Sequence, residues 1–192
     1  MDLVPIIYMK RREIRLDNNS SPISHKDFLT KIDDIEKIYI FDIDGIEKDK
    51  PNLCTYQRLS GSHELWVDFG PRNIGDVVDT TMAGATDVTL RKNLCPELTL
   101  LEIREIMDNK IYADESYRNE PSLYDFDGFV NFNSKKDLGS SFKQEYFLKS
   151  MLSKIKMYTY ETDIKNLTYW KNYGIDGLLV DFSNYKEFKN AL

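Results

Sequence analysis

The sequence has few of the residues from which disulfide frameworks, metal centres and membrane spans are built. Its 192 residues include two cysteines and two histidines. Cys54 and Cys95 are isolated from each other, and neither His25 nor His63 is near them in sequence. We therefore expect neither a disulfide framework nor a zinc site. No apolar run approaches the ~20 residues that a membrane helix requires, so we expect no contact with a membrane.

Basic residues are too few and too scattered for a nucleic-acid-binding surface. The 32 Asp and Glu residues outnumber the 26 Lys and Arg residues, which gives a formal net charge of −6. The one basic cluster, Lys10-Arg11-Arg12, is followed at once by Glu13. We therefore expect a small-molecule ligand or a protein partner, and no nucleic acid.

Targeting and cofactor signals are also missing. In the N-terminal segment MDLVPIIYMKRRE the basic residues follow the apolar run, whereas a signal peptide has them before it. The expected location is cytoplasmic. The sequence has neither the G-x-G-x-x-G pattern nor a P-loop, so no organic cofactor is expected.

What the sequence does contain is a series of short apolar, β-branched runs with helical patterns between them. The predicted strands cover residues 3–9, 37–43, 64–69, 85–90, 110–114, 127–132, 156–161 and 176–182. The predicted helices cover 24–37, 75–85, 95–110, 140–155 and 165–174, with a short helix in the final KEFKNAL. This alternation indicates a parallel sheet, because parallel strands need crossover connections.

An open doubly wound sheet and a closed barrel both fit this alternation. Eight strand-helix units in one run favour the barrel. The chain is short against the ~200 to 250 residues usual for that fold, so we expect shortened loops and reduced helices. No linker or shift in composition divides the chain. The prediction is an α/β protein, a compact TIM-type (βα)8 barrel in which residues 1–192 form one domain.

Several strand ends carry motifs of a known family. The clearest are YIFDIDGI, WVDFGPRN and YGIDGLLVDFSNY, supported by VPIIYMKRREIRL, GATDVTL and YADES. Taken in chain order, these six segments are similar to the opening β-hairpin and to five other strands of the HisA/HisF family of (βα)8 barrels from histidine biosynthesis. The chain most resembles the archaeal and methylotroph HisA-like members, whose role is uncertain. The resemblance covers nearly the whole chain and implies a site at the C-terminal ends of the strands.

The resemblance also implies catalytic residues. Isomerases of that family use one acid at the end of the first strand and another at the end of the fifth as a general base and acid. Tyr8 stands at the first position here and Asp114 at the second. A tyrosine titrates near ~10, so Tyr8 suits a proton donor better than a base. The predicted catalytic residues are Asp114 as general acid/base, Asp42 as an orienting or metal-binding acid, and Tyr8.

Phosphate in these barrels is held by glycine-rich turns after the third, fourth, seventh and eighth strands. In this sequence the third and fourth turns keep a glycine and add basic residues, so they could hold one anion. The seventh and eighth turns offer carboxylates, which would repel a phosphate. The predicted substrate- and anion-binding residues are Gly70, Arg72, Arg91, Lys92, Asp68, Glu161 and Asp181.

Most predicted strands end in a carboxylate, and Asp42 and Asp44 lie two residues apart. Residues two apart in a strand point to the same side, so these two acids are expected to share one side of the sheet. Such crowding raises pKa values, recruits Mg²⁺ or an amine, or is neutralised by nearby bases. The alternative is that each acid caps the helix that follows its strand.

Three functions fit these observations. The first is a diverged enzyme, isomerase- or lyase-like, that acts on a small metabolite with one phosphate or carboxylate. The second is a barrel without catalysis that serves as a binding or subunit partner, favoured by the tyrosine at the first acid position. The third is a phosphoribosylformimino-aminoimidazole carboxamide ribotide isomerase of histidine biosynthesis with relocated acids.

Overall fold

The apolar runs form eight parallel strands that close into a barrel in the computed structural model of the chain. The structure describes residues 1–32, 34–118, 120, 123, 125–133 and 155–192. Each strand pairs in parallel with the next, and the last pairs with the first. The predicted TIM-type barrel is confirmed. Its strands are β1 (Asp2–Lys10), β3 (Lys37–Asp42), β4 (Glu64–Asp68), β5 (Ala85–Leu90), β6 (Lys110–Ala113), β7 (Gly128–Asn131), β8 (Lys156–Tyr160) and β9 (Gly177–Asp181).

A ninth strand, β2 (Glu13–Arg15), folds back on β1 as an antiparallel hairpin. Its register pairs Lys10 with Glu13, so the turn between the strands consists of Arg11 and Arg12. Both turn residues have positive φ, 56° and 66°. The hairpin that the family resemblance implies is therefore present.

The helices between the strands are short, as expected from the chain length. They are α1 (His25–Leu29), α2 (Ile43–Lys48), α3 (Leu53–Leu59), α4 (Ile74–Met82), α5 (Leu100–Arg104), α6 (Leu167–Tyr173) and α7 (Tyr185–Ala191). None of the helices in the described residues has the length and apolarity to cross a membrane. Residues 140–154 of the helix predicted at 140–155 lie outside the described residues, and residue 155 is not helical.

Four sequence predictions need correction. The predicted helix at 24–37 ends at Leu29, and the one at 95–110 is helical only from Leu100 to Arg104, where Thr99 and Glu102 form a capping box. No helix was predicted after β3, yet α2 and α3 form there. The strand predicted to reach residue 43 ends at Asp42, which caps α2, so Asp44 lies in the helix. Asp42 and Asp44 therefore do not share one side of a strand.

Side chains alternate along each strand between the barrel interior and the layer under the helices. Aliphatic residues such as Ile38 and Ile40 point outward, into the larger core. Aromatic residues dominate the interior, where the Trp66 ring lies 3.9 Å from the Tyr112 centroid and 4.9 Å from that of Tyr158. These rings fill the interior, and above them the C-terminal strand ends form the mouth of the barrel, where sites lie in proteins of this fold.

Candidate functional site

The strand-end carboxylates divide into two groups according to the side of the sheet that they face. On β4, β6 and β9 the last acid continues the inward alternation, so Asp68, Asp114 and Asp181 point into the mouth. On β3 and β8 the parity is opposite, so Asp42 and Glu161 point outward, under the helices. Only three of the five predicted acids are thus brought together at the mouth.

Arg91, which follows β5, joins two of the mouth acids. Its Nε lies 2.8 Å from Asp68 Oδ1 and its Nη2 lies 2.6 Å from Asp68 Oδ2. Its Nη1 lies 3.3 Å from Asp114 Oδ2, and the guanidinium carbon lies 5.2 Å from the centroid of the Phe41 ring. Although burial opposes the charge, the Asp68 carboxylate raises the pKa of Arg91 above its ordinary value. The mouth therefore holds a permanent guanidinium against two carboxylates.

Asp114 is the mouth acid best placed for proton transfer. Its Oδ1 accepts hydrogen bonds from the backbone N–H of Ser116, at 3.0 Å, and from the Ser116 hydroxyl. Burial raises the pKa of Asp114, while the Ser116 and Arg91 contacts act in the opposite direction. A carboxyl group with a raised pKa can hold a proton and release it, which is what general acid/base work requires.

Asp181 forms a second cluster with two tyrosines. The Tyr8 hydroxyl donates to Asp181 Oδ1 at 2.9 Å, and the Tyr160 hydroxyl lies 3.0 Å from both carboxylate oxygens. Burial raises the pKa of Asp181, and burial is also the main cause that raises the pKa of Tyr160 to about 12. Burial likewise raises the pKa of Tyr8 well above its ordinary value. Both hydroxyls are therefore protonated donors at neutral pH.

Asp181 ends β9 and Asp114 follows β6, and these two strands lie three places apart in the closed order of eight. In the closed strand order, β6 lies four strands from β1 in either direction, and β9 is the neighbour of β1. The register pairs Ile6 with Asp181, which places this carboxylate beside the Tyr8 side chain. The sequence shows that Tyr8 stands where the family has its first acid, but it does not show that Asp181 of β9 lies next to this tyrosine. The strand-end motif LLVDF contained the signal.

Asp42 lies on the outer side of the sheet, where it ties β3 to the two helices that follow. Its fully buried carboxylate accepts hydrogen bonds from Gly45 N at 3.0 Å, Asn52 N at 2.7 Å and Asn52 Nδ2 at 2.8 Å, and from the Tyr56 hydroxyl. Burial raises the pKa of Asp42, against the effect of these hydrogen bonds. This geometry matches the capping alternative and places the group away from the mouth.

Glu161 occupies the turn after β8, one of the turns at which the sequence predicts substrate or anion binding. Its Oε1 accepts the backbone N–H groups of Thr162 and Asp163, both at 2.8 Å. Its Oε2 accepts from Asn166 Nδ2 at 3.0 Å and Trp170 Nε1 at 2.7 Å. The N–H groups of this turn therefore bind the Glu161 carboxylate, in the way that they would bind an external anion.

The other predicted anion-binding residues, Gly70, Arg72 and Lys92, contact other residues of the protein. Gly70 has φ of 62°, and a Cβ there would meet Leu94 Cδ1 at 2.6 Å. The Arg72 guanidinium donates to the backbone oxygens of Gly70 and Ile46, the latter at 2.6 Å. Lys92 Nζ lies 2.5 Å from Glu120 Oε1. Of the three predicted basic residues, Arg91 is the one directed into the mouth.

A magnesium ion needs several carboxylate or carbonyl oxygens that converge on one point. Across the described ranges of the chain, no group of three or more His, Cys, Asp or Glu side chains converges in this way. The mouth acids instead contact Arg91, Ser116 and three tyrosine hydroxyls, one of which is that of Tyr39, 2.9 Å from Asp68 Oδ2.

The fold and the described part of the mouth define a class of protein: a small (βα)8 barrel whose mouth is lined by acids and aromatic rings, with the Arg91 guanidinium between two of the acids. No protein-family model matches the chain, and no curated protein matches it in sequence. The likeness to the HisA/HisF barrels therefore consists of the strand-end motifs together with the eight-stranded parallel barrel itself.

Proposed function

We propose that this barrel binds a small metabolite at its mouth and converts it by acid–base chemistry, as an isomerase- or lyase-like enzyme. The observation that carries the proposal is that Asp114 and Asp181 enter the mouth from strands three places apart, each with a raised pKa. Pairs of acids in different environments are a common source of general acids and bases. As a carboxylate, Asp181 can accept a proton from a substrate; Asp114, when protonated, can donate one.

Arg91 is the proposed contact for an anionic group on the substrate. A guanidinium has five N–H donors, and the contacts to Asp68 and Asp114 use three of them. Among the described residues the other two have no partner. Among the described residues, three carboxylates point into the mouth against this one guanidinium, a balance that favours a ligand with one phosphate or carboxylate over one with two. The half-buried rings of Phe41 and Phe132 supply apolar walls.

The faithful histidine-pathway isomerase is the less supported version of this proposal. Its substrate carries two phosphates at opposite ends, and one of the expected phosphate turns is filled by Glu161. Asp181 is the last residue of β9, before the other turn of that pair, where its charge opposes a phosphate. A diverged HisA-like barrel with a singly anionic substrate accounts for both departures.

The test is a thermal-shift titration of the purified protein with phosphate, ribose 5-phosphate, histidine-pathway ribotides, and carboxylated or aminated metabolites, with and without Mg²⁺. We expect a ligand that raises the Tm of the parent but not that of Asp114→Asn or Arg91→Lys. The matched control is Asp108→Asn, which removes an exposed carboxylate before β6, at the other end of the barrel. A stabilisation that survives in the mouth variants contradicts the proposal, as does the absence of any stabilising compound.

A second candidate is a barrel without catalysis that serves as a subunit partner for a second copy of the chain. Four large apolar side chains are exposed on or next to α4 and α5: Val78 by 39%, Met82 by 79%, Leu101 by 72% and Ile106 by 48%. The two helices are neighbours, since Thr81 Oγ1 lies 3.8 Å from Met107 Sδ. Exposed apolar surface of this kind is typical of protein interfaces.

Light scattering across a range of protein concentrations tests this candidate. We expect a dimer that dissociates in the Met82→Lys/Leu101→Lys variant, because burying a lysine charge at an interface is unfavourable. A monomer at every concentration of the parent protein excludes this use of the surface.

A further inference from the structure

A basic groove lies at the rim of the barrel, outside the mouth. Its walls are the turn between β1 and β2 and the segment that joins α2 to α3. The cavity measures about 600 Å³, and four basic side chains line it, Arg11, Arg12, Lys48 and Lys50. We call this cavity the rim groove. None of Arg91, Asp114 and Asp181 lines it, so it is distinct from the site proposed above.

The charges of the rim groove are poorly compensated. Within the part of the chain that the structure describes, no carboxylate forms an ion pair with Arg11, Arg12 or Lys50. The one acid in the wall, Asp44, already accepts from Lys48 Nζ at 2.7 Å and from the backbone N–H of Arg11. Although burial opposes it, the Lys48 contact lowers the pKa of Asp44, so this group is a carboxylate that is already paired. An excess of positive charge remains in a chain whose net charge is −6.

The backbone of the turn supports a ligand-binding role. Arg11 and Arg12 have φ of 56° and 66°, a left-handed conformation in which a two-residue hairpin turn favours Asn-Gly. Arginine is a costly choice there because its Cβ crowds the backbone. Residues in strained backbone conformations are concentrated at binding sites, where the side chain makes a ligand contact that a less strained turn residue could not make. Here the turn holds two guanidinium groups at one wall of the groove.

We propose that the rim groove binds an organic phosphate with two or more negative charges. Guanidinium groups match phosphate oxygens with paired N–H donors, and Lys50 adds a point charge on the facing wall. Leu53 and Pro51 offer apolar surface to the organic part of the ligand. The volume is in the range of small-molecule sites. Because different residues form the mouth, this binding is independent of the proposed catalytic ligand.

Isothermal titration calorimetry with inorganic pyrophosphate and with ATP, in a Mg²⁺-free and phosphate-free buffer, tests the proposal. The Arg11→Asn/Arg12→Gly variant removes both guanidinium groups and installs the residues that the turn prefers, so it folds at least as stably as the parent. We expect its Kd for both probes to rise at least tenfold. The matched control, Lys110→Asn/Lys156→Asn, removes two exposed charges at the opposite end of the barrel, and we expect its Kd to stay within twofold of the parent.

Three results would overturn the proposal. The first is no heat of binding for the parent at millimolar probe. The second is an equal loss in the two double variants, which would show attraction by net charge alone. The third is a loss of equal size in Arg91→Lys, which would place the probe in the mouth. Binding of pyrophosphate without ATP overturns the organic part of the assignment. The Kd values of Arg91→Lys and of the Arg11→Asn/Arg12→Gly variant are measured separately. Failure of the proposal for the mouth therefore does not affect the test of the rim groove.

Discussion

Arg91 and Asp68 form a two-pronged ion pair between neighbouring strands at the mouth of the barrel, with N···O distances of 2.8 and 2.6 Å. The Asp68 side chain is fully buried, and the Arg91 side chain is exposed by 18%. The planar fork of arginine matches both oxygens of a carboxylate, so the pair fixes the direction of the guanidinium. Its third contact, to Asp114, then places the proposed acid next to a permanent positive charge.

Breaking this pair from one side is expected to cost more than removing it altogether. Arg91→Met leaves the buried Asp68 charge without its partner, and the expected loss in the free energy of unfolding is about 3–5 kcal/mol. The double variant Asp68→Asn/Arg91→Met removes both charges and recovers part of that loss. Urea denaturation of the parent, both single variants and the double variant measures the coupling. Additive losses would show that the two side chains act independently.

Asp42 is expected to be important for stability because its carboxylate has four partners under the helices. Asp42→Ala leaves the Tyr56 hydroxyl, the Asn52 side chain and two backbone N–H groups without their acceptor. Unpaired buried groups cost about 1–3 kcal/mol each, so we expect a total loss of at least about 3 kcal/mol by urea denaturation.

The control for Asp42 is Asn73→Ala, which removes the exposed cap of α4. An exposed helix cap contributes about 1 kcal/mol. An equal loss in the two variants would mean that the Asp42 carboxylate is no more than a helix cap.

The strands could be predicted from the sequence, whereas most helix ends could not. Every predicted strand end lies within one residue of the observed one, because buried parallel strands are continuous apolar runs with clear limits. The helices are short, and local caps decide where they begin. Asp42 starts α2 through its bond to Gly45, in a segment where the apolar pattern gave no helical period.

The position of the site could also be predicted, but the direction of its side chains could not. The sequence shows that most strands end in an acid. However, successive residues of a strand face opposite sides of the sheet, so a shift of one residue along the strand reverses the side that the acid faces. Asp42 and Glu161 were therefore grouped with Asp114 although they lie on the other side of the sheet. The alternation on β3, with Tyr39 inside and Ile38 and Ile40 outside, is the signal that could have separated them.

Glu161→Gly is expected to open the turn after β8 to an external anion. The variant frees the N–H groups of Thr162 and Asp163 and leaves Trp170 Nε1 without an acceptor, for an expected loss of at least about 2 kcal/mol. Inorganic phosphate should raise the Tm of Glu161→Gly more than that of the parent, since the freed N–H groups can bind it. Chloride at equal ionic strength is the control, and equal shifts with both salts would contradict this account.

The Asp181 cluster predicts a definite pH dependence of stability. The pKa of Asp181 is raised in the folded chain mainly by burial, whereas in the unfolded chain it is about 3.9. Between these two values the folded state holds a proton that the unfolded state has lost, so the contribution of this group to stability falls as pH rises. Asp181→Asn cannot ionise, and we expect its unfolding free energy to improve relative to the parent as pH rises from about 4 toward neutrality. Tyr8→Phe removes a hydrogen bond that favours the charged form of Asp181. In this variant the loss of stability with rising pH should therefore extend to higher pH. Urea denaturation at each pH measures these differences, with Asp108→Asn correcting for net charge; parallel curves for the parent and Asp181→Asn would show that Asp181 does not titrate differently on folding.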